Sequence, residues 1–325
     1  MSTAETTTGT EAATRTDRPR RTPGLVPVAE TIGSAERHAP EPPPPGLPSP
    51  PRRPGAFWRL LGSELGLTFR RPRNLAMLAV VAAVPVVVGV ALRMVGGGGD
   101  DEMSGLIASV AGNSLMLTFV SFSFLTLLLM PVAVAVVGGD SIAGEAGAGT
   151  LRYLLAAPAG RGRLLAVKFL NVVVYAYAVT AVVALSALLT GLVLFPVGDV
   201  TLLSGTTVSV TDGLLRIAVS VGYIGAGMAA LGAVALALST FTEVPIGAIA
   251  GAVVAVIVCQ VLRAIPELAP LEPYLLPARF TGFDAVLRAP IDTGALLDGL
   301  AVFGAYTVLS LSVAWARFTG KDITS

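Results

Sequence analysis

The chain is poor in the residues on which most enzymes and metal sites depend. It has one histidine, His38, and one cysteine, Cys259, among 325 residues. A single cysteine excludes an intrachain disulfide, and no Cys/His cluster is available to hold a metal. The sequence also lacks a G-x-x-x-x-G-K-[ST] loop for the phosphates of ATP and shows no recognisable nucleophile setting. These absences argue against a catalytic, metal or cofactor site in this chain.

Charge is also scarce. Only 13% of the residues are charged and 54% are hydrophobic, with a mean hydropathy of +0.76. Because soluble domains carry about 25% charged residues, this composition predicts an integral membrane protein. The formal net charge is +1, which argues against a nucleic-acid partner.

Six apolar runs are present, each close to the length that crosses a bilayer as a helix. They lie at about 75–93, 115–138, 168–195, 213–239, 245–264 and 294–316. The fold class predicted from them is all-α, a polytopic membrane protein with six transmembrane helices. The fourth and fifth runs are separated only by a short turn around Thr242 and Glu243.

Two segments precede these runs. Residues 1–54 are rich in Thr, Glu, Arg and Pro and have no apolar core, so a disordered cytoplasmic tail is predicted. Residues 55–74 carry Trp58, Leu61, Leu65 and Phe69 at helical spacing, with arginines beside them, which predicts an amphipathic interfacial helix. The remainder, 75–325, is predicted to be the transmembrane domain with a short cytoplasmic C-terminus.

The distribution of cationic residues predicts the orientation. Twelve Lys and Arg, including Arg52 and Arg53 at the end of the tail, fall on the side that holds both termini and the loop after the second run, against five on the other side. Cytoplasmic loops carry an excess of such residues. We therefore expect a multi-pass protein of the cytoplasmic membrane with both termini in the cytoplasm.

The connection 265–293, on the predicted outer side, contains several prolines together with Tyr274, Leu275, Phe280 and Phe283. Such apolar side chains would be poorly placed in water. Short helices folded back on the outer face, before the last span, explain them better than a plain surface loop.

The stretch 140–168, DSIAGEAGAGTLRYLLAAPAGRGRLLAVK, is the most informative part of the chain. Thr150 is suited to cap a short helix through Ala157, which Pro158 and the following glycine would end. Leu151, Leu154 and Leu155 share one face of that helix. The pattern predicts an amphipathic helix that lies against the membrane or is held by a partner.

This stretch resembles the cytoplasmic loop of type-2 ABC exporter permeases, where an ordinary positively charged loop is the alternative interpretation. The resemblance implies a coupling helix that docks into a separate ATPase subunit, which binds the ATP. It also implies a second permease subunit, as a homodimer, within membrane lipid. The ATPase-coupling residues implied are Glu145, Gly149, Thr150, Leu151, Arg152, Leu154, Leu155, Pro158, Arg161, Arg163 and Lys168.

The function expected from this resemblance is that of the permease subunit of an ATP-driven exporter, not itself an enzyme. A non-transporting membrane scaffold or regulatory protein is the alternative, with the basic loop bound to another partner. A secondary transporter is a weaker alternative, because ion-coupled transporters keep ionisable groups inside the bundle and these spans have few. The same scarcity indicates a hydrophobic or amphiphilic substrate.

Overall fold

The computed structural model describes residues 55–95, 113–149, 161–202 and 205–320, and these residues are mostly helical. The α-helices are α1 Ala56–Arg70, α2 Pro72–Val95, α3 Met116–Leu125, α4 Leu129–Gly147, α5 Arg161–Leu194, α6 Val210–Ser239, α7 Pro245–Arg263 and α8 Thr293–Gly320. A two-stranded antiparallel hairpin, β1 Val200–Thr201 and β2 Thr207–Val208, joins α5 to α6. Two 3₁₀ segments, Pro266–Tyr274 and Leu276–Leu287, lie between α7 and α8.

Six of the described helices are long and apolar enough to cross a membrane, namely α2, α4, α5, α6, α7 and α8. This confirms the all-α, six-span fold class. The turn between the fourth and fifth spans is also confirmed, because α6 ends at Ser239 and α7 begins at Pro245. The amphipathic helix predicted before the first span is present as α1.

Helix α6 is the centre of the bundle. It packs against α4, α5, α7 and α8, and 72% of its most apolar stretch is buried. Glycine permits the close approach of α4 to α6, since a Cβ added at Gly138 of α4 would lie only 2.8 Å from Ala235 Cβ of α6. By contrast, only 17%, 17% and 11% of the most apolar stretches of α2, α7 and α8 are buried. Their exposed apolar surfaces are of the kind that lipid covers.

The predicted second span, 115–138, is wrong in both its continuity and its end. The chain forms α3, breaks at 126–128, and continues as α4 to Gly147. Pro131 lies in the first turn of α4, and because it has no N–H it cannot bond to the Leu127 carbonyl as a continuous helix would require. Thr126 Oγ1 also donates to Phe122 O at 2.6 Å, and such side-chain bonds bend helices.

The extension of α4 to Gly147 changes the central stretch. Asp140 and Glu145 lie on the last turns of α4, and Lys168 lies on the second turn of α5, which begins at Arg161 rather than near 168. The predicted second span ends at Gly138 because it was placed by hydropathy and charged residues follow that position. Those charges remain on helices because they are paired with cations from other helices.

The bundle has two distinct ends. We call the end with Gly147, Arg161 and the C-terminal part of α8 the loop end; there Leu164, Ala237 and Phe318 share one apolar cluster. The opposite end, with the hairpin and the 3₁₀ segments, is the cap end. Phe280 and Phe283 are fully buried there, which confirms that short helical segments fold back before the last span.

Candidate coupling site at the loop end

Lys168 is the centre of an ion-pair cluster at the loop end. Its Nζ lies 2.5 Å from Glu145 Oε1 and 3.4 Å from both carboxylate oxygens of Glu64. Only 3% of the Lys168 side chain is exposed, against 14% for Glu64 and 21% for Glu145. Because Glu64 is on α1, Glu145 on α4 and Lys168 on α5, this one ammonium group joins three helices.

Such a buried cluster makes the three groups depend on one another. Removing charges from water is costly, and it is repaid only while each charge keeps its partner. Loss of Lys168 would leave two carboxylates facing each other in a poorly solvated place. Lys168 is therefore held by both α1 and α4.

A second ion-pair cluster lies one to two turns away on α4. Asp140 accepts hydrogen bonds from Arg71, at the α1–α2 elbow, and from Arg73 at 3.0 Å. The Asp140 side chain is 12% exposed, whereas about half of each arginine side chain is exposed. This pair of contacts ties the start of α2 to the end of α4.

A polar network continues from these charges into the bundle. The Nδ2 groups of Asn74 and Asn171 donate to Thr68 O and Thr68 Oγ1, each at 2.9 Å. Tyr175 OH donates to Asn74 O at 3.2 Å. The elbow between α1 and α2 is thereby hydrogen-bonded to α5 as well as paired with α4.

Aromatic contacts complete the attachment of α1. The Arg163 guanidinium lies 5.8 Å from the centre of the Phe57 ring, a cation–π distance. A Cβ added at Gly162 would lie 3.8 Å from the Trp315 ring nitrogen. The first turn of α5 therefore lies between α1 and the end of α8.

The structure brings together only part of the predicted coupling set. Glu145 and Lys168 are in direct contact, and Arg163 contacts Phe57 instead of either one. Gly149 has φ +68 and its N–H donates to Ala146 O at 3.0 Å, the left-handed glycine that commonly ends a helix. Arg161 is the first residue of α5.

The other predicted coupling residues lie outside the described residues. They are Thr150, Leu151, Arg152, Leu154, Leu155 and Pro158. The predicted coupling helix through Ala157 therefore stays a prediction. The structure describes the end of α4 and the start of α5, the two helix ends that residues 150–160 connect.

Sequence reasoning missed several residues of this site. Glu64 and Asn74 were not singled out, and Arg71, Arg73 and Asp140 were read only as charges near span ends. Glu64 is 104 residues from Lys168 along the chain, so no local pattern links them. The available signal was a carboxylate among the apolar residues of α1.

No group of three or more His, Cys, Asp or Glu suited to hold a metal occurs among the described residues. The arrangement instead suits the mechanical linkage of helices. Its charges are satisfied by one another across α1, α2, α4 and α5.

Comparison with known proteins supplies the family. Residues 62–272 match the family described as ABC-2 family transporter protein, a range that includes Glu64, Glu145 and Lys168 and runs from α1 to near the end of the first 3₁₀ segment. No curated protein matches the chain. The matched range covers more than half of the chain and contains five of its six long apolar helices. The chain therefore belongs to the ABC-2 family of transporter proteins and is a multi-pass permease component of an ABC transporter.

Proposed function

We propose that this chain is the permease subunit of an ATP-driven exporter in the cytoplasmic membrane. A separate ATPase subunit binds the ATP and docks at the loop end. Two copies of the chain assemble around the transport path. The substrate is hydrophobic or amphiphilic and moves outward.

The observation that carries this proposal is the position of Lys168. It joins α1, α4 and α5 near the end of α4 and the start of α5, the two helix ends that residues 150–160 connect. A displacement of that segment by an ATPase would move the end of α4 and the start of α5 together. Through Glu64 the same displacement would reach α1. The buried ion pairs are weakly screened by solvent and therefore hold this linkage in water and in salt.

The predicted coupling helix supplies the docking surface. Leu151, Leu154 and Leu155 would fill an apolar groove on the ATPase, and a buried leucine contributes on the order of 1.5–3 kcal/mol. Arg152 and Arg161 would pair with acidic groups at the rim, where an exposed pair contributes about 0.2–1 kcal/mol. The leucine face is thus expected to dominate the affinity.

Two further features support the substrate class and the assembly. The buried Lys and Arg among the described residues, Lys168 and Arg216, lie close to the ends of their helices, so buried charge in the described bundle is confined to its two ends. The exposed apolar faces of α2, α7 and α8 provide area for lipid and for a second copy. The excess of Lys and Arg at the loop end supports its cytoplasmic placement.

Co-purification tests the proposal. The tagged full-length chain is purified from its native host, and the ATP-binding-cassette polypeptide that accompanies it is identified and measured. Leu151→Asp should abolish its recovery, because a carboxylate would have to enter an apolar groove. Val197→Asp is the matched control, since Val197 is an exposed apolar residue at the cap end, and it should leave recovery unchanged.

Two outcomes would count against the proposal. Recovery of some other protein, with no ATP-binding cassette, would favour the regulatory or scaffold alternative. Equal recovery of the ATPase with Leu151→Asp and with the control would show that the loop end is not the docking surface.

A further inference from the structure

A small polar cavity lies beneath the α1–α2 elbow. Its volume is about 40 Å³, and one water needs roughly 10–15 Å³, so two or three waters fit. Four helices line it, and the exposed residues Leu67 and Arg71 lie at its edge. The polar lining residues are Glu64, Thr68, Arg71, Asn74, Asp140, Ser141, Glu145, Lys168 and Asn171.

Two buried side chains in this lining have an unmatched acceptor. Asn74 is 2% exposed and Asn171 is 4% exposed. The Oδ1 atom of each accepts no hydrogen bond from any described residue, although each Nδ2 donates to Thr68. Turning the Asn171 amide by half a turn would pair its Oδ1 with the Thr68 hydroxyl and leave its Nδ2 unmatched instead. Buried side-chain polar atoms usually have partners, so this cavity calls for a small ligand that donates to Asn74 Oδ1 and can donate to, or accept from, the unmatched atom of Asn171.

The charge around the cavity selects the kind of ligand. Glu64, Asp140 and Glu145 are matched by Lys168, Arg71 and Arg73, which pair with them in the structure. The formal sum is zero. A bound cation would add an uncompensated charge close to the Lys168 ammonium, whereas a neutral donor would not.

We propose that this cavity is an internal hydration site, in which ordered water donates to Asn74 Oδ1 and Asn171 Oδ1. Both amides and the carboxylates of Glu64 and Glu145 line the same cavity, so waters held there can bond to all of them. Water at this place solvates Glu64 or Glu145 whenever Lys168 moves towards the other. The cluster can then exchange partners without leaving a carboxylate bare.

The hydration site does not depend on the proposed ATPase docking. It follows from the cavity, the two amides and the charge balance alone. A chain that fails to recover an ATPase would still hold the water, and a dry cavity would leave the docking result untouched.

Cryo-electron microscopy tests this inference on the full-length chain in lipid nanodiscs, at a resolution that shows ordered waters. One sample is prepared in a buffer whose only added cation is choline, and matched samples contain sodium or rubidium chloride. We expect a density peak within about 3.2 Å of Asn74 Oδ1 and of Asn171 Oδ1, of the same height in all three. A featureless cavity would overturn the proposal. Density that appears only with sodium or rubidium would also overturn it, because the site would then bind a cation.

Discussion

Among the described residues, each end of the bundle buries one cation, Arg216 at the cap end and Lys168 at the loop end, but the two ends satisfy it in different ways. At the cap end, Arg216 donates to Asp212 of its own helix at 2.8 Å and to the carbonyl groups of Val286 and Arg288. At the loop end, Lys168 pairs with carboxylates from two other helices. The guanidinium is a planar fork with fixed directions, whereas the ammonium is a compact charge on a flexible stem.

This difference indicates different mechanical roles. Arg216 holds the end of the second 3₁₀ segment against α6 through the main-chain carbonyl groups of Val286 and Arg288. Lys168 has carboxylate partners on two other helices. It can shift from one towards the other and stay paired with a carboxylate. The cap end is therefore built as a fixed brace and the loop end as a joint that can rearrange.

Replacing Lys168 should have the largest effect on both thermal stability and export. Lys168→Met keeps the length of the side chain but leaves Glu64 and Glu145 facing each other without a cation. Breaking a buried pair in this way costs about 3–5 kcal/mol, so the thermal unfolding midpoint in detergent should fall markedly and export should be lost.

A triple variant separates folding from coupling at this position. Adding Glu64→Gln and Glu145→Gln to Lys168→Met removes the unpaired charges and should restore most of the thermal stability. Export should remain lost, because the ionic linkage between α1, α4 and α5 is gone. Full recovery of export in the triple variant would contradict the joint role of Lys168.

Replacing Arg216 should give the next largest effect. This effect should fall on thermal stability and not on assembly with the ATPase. Arg216→Met removes the donors to Val286 O and Arg288 O, and one unsatisfied buried acceptor costs about 1–3 kcal/mol. Asp212 is 38% exposed and can be solvated. We expect lower thermal stability with unchanged ATPase recovery per folded protein.

Arg288→Met is the control for this change, since its side chain is exposed. It should alter neither the unfolding midpoint nor assembly. A loss of export per folded protein in Arg216→Met equal to that in Lys168→Met would remove the distinction between the two ends.

The contrast between these ends was only partly predictable from the sequence. Five of the six spans follow from apolar runs, since long stretches such as Val210–Ser239 have few other ways to satisfy their backbone in lipid. The break at 126–128 was missed because Pro131 can be accommodated in a span, as Pro85 is within α2. Which proline interrupts a helix depends on tertiary contacts.

The candidate site was harder to predict than the spans. The motif around Gly149 and Lys168 directed attention to the loop end, where Glu145 and Lys168 do meet. Glu64 and Asn74 join them only through the packing of α1 and α2 on α5. No local periodicity encodes pairs separated by about a hundred residues.

Replacing Asp140 should give a smaller effect than either buried cation. Asp140→Asn removes the ionic contacts with Arg71 and Arg73, which are about half exposed and can be solvated instead. Exposed ion pairs contribute about 0.2–1 kcal/mol, so the unfolding midpoint should change little. A drop as large as that of Lys168→Met would show that both charge clusters act as one unit.

Cysteine labelling should leave folding and transport almost unchanged while testing which end faces the cytoplasm. In a Cys259→Ala background, a single cysteine replaces Ala148 at the loop end or Gly198 at the cap end, both exposed. An impermeant thiol reagent added to intact cells should label Gly198→Cys directly and Ala148→Cys only after the membrane is permeabilised. The expectation follows from the excess of Lys and Arg on the loop side. Labelling in the reverse order would invert the topology, and the ATPase would then have no access to residues 150–160.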